Sequence, residues 1–91
     1  MAAREYTMRF STLEDLDDFS QVLDFVKEDS STKPRDRAYI SNVQRKMSHA
    51  KEFPTLGRYE VLLISTREAN ILEDIIKGLG ISDSYEVSPI R

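Results

Sequence analysis

The chain has no cysteine, a single histidine and three glycines. Without cysteine, disulfides and thiol chemistry are excluded, and no redox compartment is implied. One histidine, His49, leaves one candidate base for any Ser–His scheme. On a helical projection it falls about 180° from Ile40, where a solvated surface side chain is expected. Gly57, Gly78 and Gly80 are too few to build a phosphate-cradling loop, and no Gly-x-Ser-x-Gly elbow occurs. Gly78 and Gly80 also follow a helical pattern, whereas phosphate is held at a helix start. Long hydrophobic runs are missing too. The longest, Val61 to Ile64, is far short of the roughly 20 residues that cross a bilayer. The first ten residues hold no apolar stretch of signal-peptide length, so a cytoplasmic protein is expected.

What is present suits one small folded domain of 91 residues, with 40% hydrophobic and 32% charged residues. The net charge of −3 conceals a division along the chain. Residues 1–32 carry three Lys/Arg against eight Asp/Glu, residues 33–58 carry seven against two, and residues 59–91 carry three against six. Such a layout steers a partner or lets neighbouring elements attract one another.

Two junctions resemble each other. Tyr6-Thr7-Met8-Arg9-Phe10 alternates as a half-buried strand does, then runs into Ser11 with Glu14 three residues on. Residues 59–64 (Tyr-Glu-Val-Leu-Leu-Ile) run into Ser65 with Glu68. Ser followed by Glu at the third position is the reciprocal cap of a helix start, worth about 1 kcal/mol. Both places therefore read as strand-to-helix corners.

The first helix is predicted over 13–28, with Leu16, Phe19, Val22, Leu23 and Val26 as its apolar stripe. Asp17, Asp18, Asp24 and Glu28 gather on the opposite side, and Phe25 is the misfit among them. Residues 29–36 are polar and contain Pro34, so a flexible loop is expected there. A second helix over 37–52 buries Ile40, Val43, Met47 and Ala50, and Phe53-Pro54 stops it. A third, over 66–79, buries Ile71, Leu72, Ile75, Ile76 and Leu79, with Gly80 closing it. Residues 84–90 form a short last strand confined to an edge by Pro89. The fold class is α+β in β-α-α-β-α-β order. Because Leu62 and Leu63 point to opposite faces and both are apolar, strand 59–64 is expected at the centre of a three-stranded sheet. A parallel crossover to the last strand completes it.

Candidate chemistry is sparse. The run Glu14 to Asp18 lies on a helix, where successive carboxylates diverge by about 100° instead of converging on a cation. It also sits where the helix dipole favours negative charge. No catalytic, cofactor or metal site is expected, and no family resemblance emerges. The expected role is a non-enzymatic, protein-binding regulator or adaptor, such as an inhibitor or accessory factor of a mobile element or phage. Its contact surface would combine Asp17, Asp18, Asp24, Phe25 and Glu28 with the basic segment. The outward apolar face of Leu62 and Ile64 suggests pairing with a second copy. The alternative is a nucleic-acid module that neutralises phosphates with Arg35, Arg37, Arg45, Lys46 and Lys51.

Overall fold

The computed structural model describes residues 5–63 and 66–89. Six elements follow in order: β1 (Tyr6–Phe10), α1 (Leu13–Glu28), α2 (Pro34–Glu52), β2 (Tyr59–Leu63), α3 (Thr66–Gly78) and β3 (Val87–Pro89). This is the β-α-α-β-α-β order read from the sequence. The strands form one antiparallel sheet in the order β2-β1-β3.

The centre of the sheet is thus β1, and the strand expected there, 59–64, lies at an edge. The reason is visible at Leu62. Its apolar side chain suggests burial on both faces, yet it is 46% exposed on the outer face. β1 is the strand closed on both faces at its middle, where Met8 and Thr7 are each buried. β2 and β3 both run antiparallel to β1, so they share a direction without touching, and α3 carries the chain across the central strand. β3, ending in Pro89, takes the far edge, where a missing ladder N–H costs nothing.

One face of this sheet builds the core. Met8 lies between Val61 and Val87 in register, and Phe10 and Leu63 extend the same surface. Onto it pack Leu16, Phe19 and Leu23 from α1, Ile40, Val43, Met47 and Ala50 from α2, and Ala69, Leu72 and Ile76 from α3. Each set steps by three or four residues, so each helix contributes one stripe, as the periodicity requires. The outer face carries Thr7, Arg9, Glu60, Leu62 and Ser88. Arg9 and Glu60, which are cross-strand partners, form an ion pair at 3.1 Å. Exposed pairs of this kind contribute at most about 1 kcal/mol.

Helix ends follow local chemistry. The cap of α1 is Thr12, whose Oγ1 accepts from the Asp15 N–H at 3.1 Å. Ser11, the expected cap, stands one residue further out. The capping hydroxyl must belong to the residue directly before the first helical one to meet the N–H three positions on. The second expected cap, Ser65, lies outside the described residues, as do Ile64 and Ile90. The expected loop 29–36 shortens to 29–33, because Pro34 opens α2. Proline suits that position: its φ is already helical, and its missing N–H would have had no partner. Gly80 closes α3 as expected, at φ +68°, with Ile81 N–H donating to Ile76 O and Gly80 N–H to Lys77 O.

Between α2 and β2 the chain reverses in two residues. Thr55 and Arg58 exchange both backbone hydrogen bonds, at 2.8 and 2.9 Å, around Leu56 and Gly57. Both central residues have positive φ, +50° and +75°, the signature of the turn that prefers Asn-Gly. Leu56 is strained there and is 95% exposed, so it gains no burial in return. Leu56→Asn is therefore expected to stabilise the protein by about 0.5–1 kcal/mol. A urea midpoint that fails to rise would refute the strain.

Candidate functional site

α1 presents two faces with different employment. Its core face carries Phe19, whose ring lies 4.8 Å from Tyr85 and 5.8 Å from Phe10, centroid to centroid. Beside it, Asp18, Gln21, Val22, Phe25 and Val26 line a groove of about 470 Å³, together with Asp29 and Leu79 beyond the helix ends. Phe25 is 82% exposed, the largest apolar side chain so open on any described helix. Leu79 follows α3, past the end of that helix's buried stripe, and supplies the opposite wall. Val22 and Val26, predicted as core, are half-buried along the groove floor.

Carboxylates mark the two ends. Asp18 stands at the N-terminal end, and Asp29 caps the C-terminus of α1 at the other. Asp29 Oδ1 accepts from the Ser31 backbone N–H at 2.8 Å and the Ser31 hydroxyl at 2.7 Å. These bonds, in that order, hold its carboxyl below the usual value. Burial first, then the nearby charges of Asp15 and Asp18, push the Tyr85 phenol above its ordinary value.

Of the predicted acidic set, the fold brings Asp18 and Phe25 together and disperses the rest. Asp17 Oδ1 accepts from Lys51 Nζ at 3.3 Å, and Asp24 Oδ1 accepts from Gln44 Nε2 at 2.7 Å, so both serve the α1–α2 contact. Glu28 is exposed outside the groove lining. Sequence reasoning missed Leu79 and Asp29 as parts of this site. Asp29 carried a signal, since Asp before Ser-Ser-Thr is a turn-forming string; Leu79, counted by periodicity in the buried stripe of α3, follows that helix and is 55% exposed.

The basic segment is largely engaged within the molecule. Lys46 Nζ donates to both oxygens of Glu68, at 3.2 and 2.9 Å. Arg37 Nη2 donates to Asp29 O at 3.0 Å, Arg45 Nη2 to Asn42 Oδ1 at 2.9 Å, and Lys51 to Asp17. Arg35 sits with Lys33 and Arg67 around a depression at the start of α2. Arg67 comes from α3, outside the segment read as basic.

His49 is exposed, its ring 4.9 Å from that of Phe53. Both border a depression at the outer sheet face with Thr7, Arg9, Glu60 and Leu62. The carboxylate there, Glu60, is solvated and paired with Arg9. Among the described residues no group of three His, Asp or Glu side chains could hold a metal ion, and no helix is long and apolar enough to cross a membrane. Comparison with known protein families, curated proteins and solved structures finds no match.

Proposed function

We propose that this chain is a protein-binding regulator or adaptor that engages its partner through the α1 groove. The observation that carries the reading is Phe25, an open aromatic ring set among Val22, Val26 and Leu79 with carboxylates at either end. Scattered exposed apolar residues are ordinary on protein surfaces, but an aromatic inside an apolar concavity is the composition of an interface anchor. Burying such a ring against a partner removes up to about 150–250 Å² from water. At about 25 cal/mol per Å² that is several kcal/mol before ordering costs.

The nucleic-acid reading has less support, because Arg37, Arg45, Lys46 and Lys51 each have an intramolecular partner. Pairing with a second copy through the sheet face also has less. Among the described residues of that face, Leu62 is the one large apolar side chain, beside the Arg9–Glu60 pair.

A photo-crosslinking residue at position 25, introduced in the native host, is expected to capture a discrete protein. The same residue at Ser48, exposed on α2, is expected to capture none. Equal capture from both positions, or from neither, removes the reading. Phe25→Ala is expected to weaken partner binding at least about tenfold while changing folding stability by less than about 0.5 kcal/mol. Tight binding of a labelled oligonucleotide in low salt, lost with Arg45→Glu plus Lys51→Glu, would move the function to nucleic acid.

A further inference from the structure

We infer that the segment received by the α1 groove is an amphipathic basic helix of about three turns, with apolar residues on one face and a Lys or Arg toward each end. This deepens the preceding reading and rests on it. The first argument is charge. The groove is lined by two carboxylates, Asp18 and Asp29, and by no cationic side chain, although Arg37 donates to the Asp29 carbonyl at 3.0 Å from outside the lining. Hydrogen bonds from Ser31 favour the ionised form of Asp29. A partner with the same sign would be repelled at both ends, and one with opposite charges is drawn in and set in register.

The second argument is length. Asp18 and Asp29 are eleven positions apart along α1, about 16 Å at 1.5 Å per residue. Between them Val22, Phe25 and Val26 lie on the same side of the helix, with Leu79 facing them. The order along the groove is acid, apolar, acid. Its complement is cation, apolar face, cation over the same distance, which is roughly eleven residues of helix.

The third argument is the backbone. An extended peptide binds well where a strand edge offers it N–H and C=O partners. The groove wall is a helix whose own backbone groups are spent internally, so an extended ligand finds no ladder there. A helical ligand arrives with its backbone already satisfied and needs only side-chain contacts.

The test is selection of random 16-residue displayed peptides, run in parallel on the whole chain and on its Phe25→Ala variant. Peptides that depend on Phe25 are expected to be net positive, with apolar residues at i, i+4 and i+7 and Lys or Arg at both ends. A synthetic copy of the most enriched one should gain helical circular dichroism on binding. It should bind the Phe25→Ala chain at least tenfold more weakly and the Asp18→Lys chain several-fold more weakly, chiefly through a slower on-rate. Both substituted residues are exposed, so the variants keep the fold. If the Phe25-dependent peptides are acidic, proline-rich or unhelical when bound, this inference is overturned while the groove reading stands. If no peptide depends on Phe25, both are overturned.

Discussion

Phe19→Ala is expected to lower the folding free energy by about 4 kcal/mol, roughly a third or more of the stability of a domain this size. The side chain is fully buried and touches the rings of Phe10 on β1 and Tyr85 just before β3. Truncation removes the transfer energy of the ring and leaves a cavity, about 3–5 kcal/mol for a buried Phe. It also removes two aromatic contacts, each worth about 0.5–1.5 kcal/mol beyond area. A chain of this length carries roughly 5–13 kcal/mol in all. The variant should therefore show a urea midpoint at least about 30% below that of the unsubstituted protein. Phe19→Leu, which keeps most of the volume, should cost much less. A Phe19→Ala midpoint within error of the original would mean that α1 does not seat on the sheet through this ring. Phe25→Ala, six residues along the same helix, supplies the contrast: one ring holds the fold, and the other, open to solvent, is the anchor of the proposed partner contact.

That division of labour was half legible in the sequence. Phe19 falls in the 3.6-residue stripe and Phe25 falls out of it, so the misfit could be seen without coordinates. So could the three helices, the order of elements and Gly80, because each rests on neighbours along the chain. The strand order could not. Leu62 reads as an inward residue of a central strand, and only pairing with residues more than 50 positions away puts it on an open face. The fate of the charges was hidden for the same reason. Asp17 and Asp24 belong to the acidic side of α1 by angle, but whether they face a partner or Lys51 and Gln44 depends on where α2 packs. Leu79, placed in the core by periodicity, lies beyond the helix end, where no layer covers it. Ser11 lost the cap to Thr12 because two adjacent hydroxyl residues satisfy the same sequence pattern, and backbone geometry chooses between them.

Lys46→Met is expected to cost about 2–4 kcal/mol, or a fall of about 10–20 °C in Tm. Glu68 is buried, its side chain only 5% exposed, and Lys46 reaches both of its oxygens from the neighbouring helix. Removing the ammonium leaves a desolvated carboxylate without this partner, a penalty larger than the net worth of the pair. The end of Lys46 that meets water moderates the loss, since its side chain is 25% exposed. Replacing both groups tests the cause. Lys46→Met with Glu68→Leu buries no charge and should recover most of the lost stability, whereas Glu68→Leu alone leaves the lysine able to turn outward. If the double variant is as unstable as Lys46→Met, the loss comes from packing and not from the broken ion pair. The same geometry decides how the basic segment can be probed for nucleic-acid binding. Lys46→Glu would set a second carboxylate beside buried Glu68 and destabilise the chain, so lost binding would report partly on folding. Arg45 and Lys51 are exposed, and the Lys51–Asp17 pair is worth at most about 1 kcal/mol. Their substitution keeps the fold and leaves phosphate contact as the property measured, which makes them the pair that separates the two functions.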